Sequence, residues 1–200
     1  MNIMKAASAA LLSAVLIAGA AAPTLAGSRV YNPLTNTWET PSAVAARNHG
    51  IKYSPIPRET VAYNTKYSAG TIVVETAERR LYFVLGNGEA IKYGIGVGRD
   101  GFRWSGTHRI SRKAEWPGWT PPAEMRQRVP GLPTYMPGGI NNPLGARALY
   151  IGSTLYRLHG TSEPWTIGHA VSSGCIRLTN DDIIDLYNRA KVGALVVVHQ

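Results

Sequence analysis

Leu158-His159-Gly160-Thr161 is followed, after nine residues, by Val171-Ser172-Ser173-Gly174-Cys175-Ile176-Arg177-Leu178. Cys175 is the only cysteine in the 200-residue sequence. It cannot form an internal disulfide, so it is an inert core residue, half of an intermolecular bridge, or a reactive thiol. The thiolate is the nucleophilic form of cysteine, and a neighbouring imidazole can take the thiol proton. His159, sixteen residues before Cys175, sits in a His-Gly turn after a predicted strand and is the natural partner. Gly174 has no Cβ to cover the thiol. Its N–H and that of Cys175 can point at one oxygen and so form an oxyanion hole, a large contributor to acyl transfer. His49, His108, His169 and His199 have no comparable context, although His169 is near enough in sequence to support the pair. A zinc site built from His159, His169 and Cys175 would lack the close-spaced ligand pairs of a zinc motif.

Just after the cysteine, the pattern predicts a helix. Thr179 can cap it with Asp182 as reciprocal partner, and Ile183, Leu186, Tyr187 and Ala190 form an apolar stripe at i, i+3, i+4 and i+7. Gly193 is the expected stop. Ala194 to Val198 reads as a closing buried strand. Before the histidine, Ala148 to Ile151 and Leu155 to Leu158 read as a hairpin around Gly152-Ser153. Further upstream, Thr71 to Glu75, Arg80 to Leu85, Ala90 to Ile95 and Thr107 to Ser111 read as strands. Gly86-Asn87-Gly88 supplies the positive-φ residues of a tight hairpin. Trp116 to Gly145 holds seven of the 13 prolines. Proline lacks the N–H that a ladder needs, so this stretch is an ordered loop over the domain rather than a sheet interior.

Residues 27–69 carry no sustained period and read as an N-terminal extension. Tyr31, Trp38, Tyr53, Tyr63 and Tyr67 argue against its being wholly disordered. Residues 1–26, with Lys5, the apolar run Leu11 to Gly19 and the small-residue end Thr24-Leu25-Ala26, have the layout of a secretory signal peptide. Their apolar run is too short for a bilayer span of about 20 residues, so no stable membrane insertion is expected. Removing Lys5 from the 21 basic residues leaves 20 against 12 acidic ones, a net +8. That charge suits an anionic envelope surface. The basic residues are scattered, and nucleic acid is not an expected partner. There is no P-loop, dinucleotide fingerprint or Gly-x-Ser-x-Gly elbow. Gly94-Ile95-Gly96-Val97-Gly98 opens no helix and so is no phosphate cradle. No cofactor and no metal are expected.

The order Leu158-His159-Gly160-Thr161, Pro164, Ile167-Gly168 and Val171 to Leu178, preceded by Asn142-Pro143-Leu144-Gly145 and Ala148 to Ile151, resembles the L,D-transpeptidase catalytic domain, the YkuD domain. The resemblance covers roughly residues 70–198. It implies a mainly β, sandwich-like domain at 70–199 with one or two short α-helices. The implied reaction is acyl transfer on peptidoglycan. Cys175 would be the nucleophile and His159 the base, with the Gly160 carbonyl orienting the imidazole. Ser173, Gly174 and Arg177 would line the oxyanion and substrate side, Arg177 either meeting a substrate carboxylate or standing in a structural ion pair. The acyl donor would be a tetrapeptide stem that loses D-alanine. The acceptor would be a stem amine, an envelope protein, or water, which would make the protein an L,D-carboxypeptidase or cross-link hydrolase. A periplasmic or secreted location follows. The family's Ser-His-Gly-Cys is Ser172-Ser173-Gly174-Cys175 here, which places thiol activation on His159. A non-catalytic cell-wall-binding module and a redox-active thiol protein are the competing classes.

Overall fold

The computed structural model describes residues 56–100 and 103–200, together with 30–32, 37–40 and 43. The leader expected at 1–26 lies outside the described residues. β1 (Val30–Asn32) and β2 (Thr37–Glu39) form a small antiparallel ribbon. Four strands follow: β3 (Glu59–Ala62), β4 (Ile72–Glu75), β5 (Arg80–Gly86) and β6 (Glu89–Gly94). β3 pairs antiparallel with β6, so the sheet begins inside the stretch read as an extension. The β5–β6 turn has φ of 87° at Gly86, 49° at Asn87 and 80° at Gly88, the left-handed backbone that this sequence favours. Ile72, Val73 and Val74 are all fully buried, as expected of a central strand covered on both faces.

After β7 (Val97–Gly98), β8 (Gly106–Glu115) runs well beyond the short strand expected there. Its first residues pair with β13 (Leu195–His199) and its later ones with β9 (Arg147–Ile151), with a register shift between Ile110 and Arg112. A shift of this kind bends a strand. β10 (Arg157–His159), β11 (Ala170–Ser172) and β12 (Ile176–Arg177) complete the set. The nine-stranded sheet has the order β12-β10-β9-β8-β13-β4-β5-β6-β3, and β7 pairs with β11 beside it. The fold is mainly β, as expected. Its two halves belong to one continuous sheet joined through β8 and share one core. Ile72, Leu81 and Tyr93 of one half pack with Leu149, Leu158 and Ile176 of the other, and with Ile183 and Leu186.

Among the described residues from 56 onward, two short α-helices accompany the sheet. α1 (Ala123–Arg128) lies in the proline-rich segment between β8 and β9. That segment is a loop, held by a Trp119–Met136 backbone bridge and by buried Asn142. The Asn142 Nδ2 donates to the Met136 and Pro137 carbonyls, and its Oδ1 accepts from the Leu144 N–H. Trp116 and Tyr135 of this segment are exposed, at 43% and 58%.

α2 (Asn180–Arg189) follows β12. The Thr179 Oγ1 accepts from the Asp182 N–H at 3.2 Å, so one half of the expected capping box forms. Gly193 does not end this helix. Arg189 is its last residue, Ala190 is extended, and Gly193, with φ 88°, serves the turn into β13. The Lys113 ammonium, reaching from β8, donates to the Tyr187 and Ala190 carbonyls. A cation on the last-turn carbonyls does the work that a glycine cap does elsewhere.

Candidate active site

Strand register brings the candidate residues together. β10 and β12 run parallel, with Leu158 opposite Ile176 and His159 opposite Arg177. Side chains two apart on a strand share a face, so Arg157 and His159 lie on one face of β10. Cys175, one residue before Ile176, comes opposite Arg157. On the other side, His159 is opposite Ala148 and Ala148 opposite Ala114, while Arg157 is opposite Tyr150 and Tyr150 opposite Arg112. Two rows therefore cross the sheet. One is Ala114, Ala148, His159 and Arg177; the other is Arg112, Tyr150, Arg157 and Cys175.

His159 is 3% exposed, and its Nδ1 lies 2.5 Å from the Gly160 carbonyl oxygen. A carbonyl carries no proton, so Nδ1–H donates and Nε2 is left as the acceptor. Burial and, next, the Arg177 charge push the His159 pKa down to about 3. The Gly160 and Leu144 carbonyls favour a proton on the ring but offset only part of this. The imidazole is therefore neutral at neutral pH. Gly160 is glycine because a Cβ there would run into the Asn180 side chain and meet the Ala146 nitrogen at 3.0 Å. The Asn180 Oδ1 in turn accepts from the Ala146 N–H at 2.9 Å, joining the start of α2 to the residue that leads into β9.

The cysteine turn is held by its own side chains. Gly174 has φ 101°, a backbone that other residues adopt at a cost. The Ser172 Oγ donates to the Cys175 carbonyl at 2.5 Å and accepts from the Gly174 N–H at 3.2 Å. One of the two N–H groups expected to face an oxyanion is thus engaged within the turn. The Trp104 Nε1 donates to the Gly174 carbonyl at 2.7 Å, and its ring stacks on Tyr156, 4.5 Å between centroids and 4° from parallel. Cys175 is partly exposed. Its sulfur has the Arg157 Nη1 at 3.9 Å and the Leu155 carbonyl oxygen at 3.8 Å. No hydrogen bond joins Cys175 to His159; the cysteine lies just before β12, one row away from the histidine on β10.

Arg177 sits in an ion pair with Glu163, 2.9 Å apart, with side chains 13% and 7% exposed. Its guanidinium faces a carboxylate of the protein, the second of the two roles the sequence left open for it. Ser173 lies in the bend before Gly174 and is half-buried. His169 is exposed just before β11, and its backbone carbonyl accepts from the Val97 N–H. Among the described residues, no group of three or more His, Cys, Asp or Glu is placed to hold a metal ion. None of the helices among them is long and apolar enough to cross a membrane. Surface depressions along Tyr63 to Ala69 and along Ser68 to Thr71 are not lined by Cys175, His159 or Arg157.

Sequence reasoning passed over Arg157, Glu163, Trp104, Tyr156 and Asn180. A signal existed for Arg157, which stands two residues before His159 and must share its face if the segment is a strand. Trp104 is 70 residues from Gly174, and no local pattern links them.

The family model of the L,D-transpeptidase catalytic domain, YkuD, matches residues 69–198. The chain is similar to the probable L,D-transpeptidase YbiS of Escherichia coli K12, 40% identical over 150 residues that make up 70% of this chain and 47% of that one. It spans about half the length of the curated relatives it matches. Among solved structures it is similar to a Brucella melitensis chain described as a probable carnitine operon oxidoreductase. That chain is 41% identical, with a TM-score of 0.50 over 77% of this chain and 99% of the other. The ertapenem-acylated catalytic domain of an Enterococcus faecium L,D-transpeptidase shares the fold, with a TM-score of 0.52 at 17% identity over 68% of this chain and all of that one.

Proposed function

The chain belongs to the L,D-transpeptidase catalytic-domain family, and from that premise we propose that it is a peptidoglycan L,D-transpeptidase acting through Cys175. The observation that carries the reading is the buried, neutral, carbonyl-oriented His159 on the strand next to the lone thiol. The sulfur attacks the carbonyl that precedes the terminal D-alanine of a tetrapeptide stem. The thiol proton passes to the Nε2 of His159. The carbon–nitrogen bond breaks, and D-alanine leaves with that proton. An amine of a second stem, or of an envelope protein, then attacks the thioester and restores the thiol. Water in the amine's place would give carboxypeptidase or cross-link hydrolase activity. The backbone N–H of Cys175 is the donor we assign to the oxyanion. Unliganded enzymes commonly hold catalytic hydrogen bonds long, and they tighten with substrate bound. The same reading puts the protein in the cell envelope after loss of residues 1–26.

The test is intact-mass spectrometry of the protein incubated with tetrapeptide-stem muropeptides. An acyl adduct and released D-alanine are expected. Both should be absent in Cys175→Ala, with turnover down by roughly 10⁴ or more, the scale of removing a catalytic nucleophile. A carbapenem should leave an adduct on the same residue. A Cys175→Ala variant that retained a few per cent of the activity would end the covalent reading. If sacculi bound equally to wild type and Cys175→Ala, and wild type gave no turnover, the protein would be a wall-binding module. A redox-active thiol is the competing chemistry, favoured by the description of the Brucella melitensis relative. It needs no base, so peroxide would then oxidise Cys175 equally fast in wild type and His159→Ala.

A further inference from the structure

The sulfur of a cysteine acyltransferase becomes negative as its proton leaves, and in an ordinary pair the imidazolium beside it balances that charge. Here the balance is differently arranged. His159 is buried, already faces the Arg177 guanidinium, and makes no hydrogen bond to the sulfur. The motif position that would carry a second imidazole holds Ser173. The cationic nitrogen hydrogen-bonded to the sulfur is the Arg157 Nη1, at 3.9 Å.

Arg157 is free for this part. Its neighbours Arg177 and Arg147 are paired with Glu163 and Glu115, whereas Arg157 has no carboxylate partner among the described residues. Its Nε is buried with no hydrogen bond. Its guanidinium is held from behind by the Tyr150 ring, 5.3 Å away, and a second guanidinium, that of Arg112, lies 3.7 Å from the centroid of that ring. Both contacts follow from the row Arg112, Tyr150, Arg157 across β8, β9 and β10. The stack holds a long, flexible side chain in one place, which a point-charge role requires.

We propose that Arg157 is a further catalytic residue, whose guanidinium supplies the positive charge opposite the Cys175 sulfur anion in place of the family's motif imidazole. The inference rests on the acyl-transfer reading above. In the reaction the thiol proton leaves to His159, the sulfur–carbon bond forms, and the guanidinium keeps all its protons throughout.

The experiment is the rate of iodoacetamide alkylation at one neutral pH, in which the sulfur displaces iodide and the thiol proton goes to buffer. Arg157→Met should react about tenfold more slowly or worse, the scale of losing an opposite charge within 4–6 Å. Arg157→Lys should stay within about threefold of wild type, because it keeps the charge. Adding Ser173→His to Arg157→Met should recover part of the rate. Should Arg157→Met unfold, Arg157→Gln takes its place. A neutral variant reacting at the wild-type rate, or Lys as slow as Met, would overturn the proposal, the latter by marking Arg157 as packing for Tyr150. D-alanine release by wild type is measured separately. If it is absent while alkylation follows the charge at 157, the transpeptidase reading falls and the charge role stands. If it is present while the neutral variant alkylates normally, the reverse holds.

Discussion

His159 is a histidine that folding keeps neutral, and this has a consequence for stability. Its pKa falls from the ordinary 6.5 to about 3, through burial first and Arg177 second. The unfolded chain therefore binds a proton that the folded chain refuses over the window between those values. Stability is full above about pH 6.5 and declines as the pH drops toward 3, with this one group contributing up to about 1.4 kcal/mol per pH unit. His159→Gln removes that proton from both states and can still donate an amide N–H to the Gly160 carbonyl. Denaturant titrations at pH 6 and pH 4 should show a smaller loss for the variant than for wild type. Equal losses would mean that the imidazole is not held neutral. At this scale the sequence was informative about Cys175 and His159, because rare reactive residue types in a recurring order carry their own signal. For Arg157 it offered only the strand face shared with His159, and on Glu163 it was silent, since arginine and glutamate are common and acquire meaning from what they face.

At the scale of elements, the site depends on how α2 meets the strands below it. Thr179 caps the helix through the Asp182 N–H. Thr179→Ala should cost about 1 kcal/mol, which for a chain of this size is roughly 2–4 °C in Tm. Gly160→Ala should cost more. Its Cβ would strike Asn180, the first residue of α2, and crowd the Ala146 nitrogen, neither of which can move without parting α2 from β9. Forcing extra volume into such a junction typically costs about 1–3 kcal/mol. Acylation of Cys175 should suffer too, because the Gly160 carbonyl orients His159. Thermal melts of the two variants decide this, and a Gly160→Ala protein melting with wild type would refute the close approach. The helix's apolar face was legible from periodicity, and its cap from the threonine before Asn180. Its end was not, because the Lys113 that satisfies the last carbonyls comes from β8, 74 residues away from Tyr187.

For the whole molecule, β3 is the outer edge of the nine-stranded sheet and covers β6. Just before it, Arg58 reaches Asp182 and Asp185, each 3.6 Å away, and so ties the segment to α2. A protein truncated to begin at Gly70 would bare the hydrogen-bonding groups of β6, and such edges pair with other chains. It should melt lower than the full-length protein and self-associate on size exclusion. A monomeric truncation with an unchanged melt would show that the catalytic domain begins at β4 and does not need β3.

The sequence by itself determined the chemistry this protein can carry and the local elements that bear it. A lone thiol, a His-Gly turn, β-branched runs, the Gly86-Asn87-Gly88 turn and the amphipathic stripe of α2 are each properties of a few neighbouring residues. The tertiary structure decided which of them meet. The parallel register of β10 and β12 sets Arg157, rather than His159, against the sulfur, and the bend of β8 joins the two halves around one core. Pairings of this kind join residues far apart in the chain. Their stability comes from burial and from shared hydrogen bonds that exist only once the sheet has formed, so no local pattern encodes them.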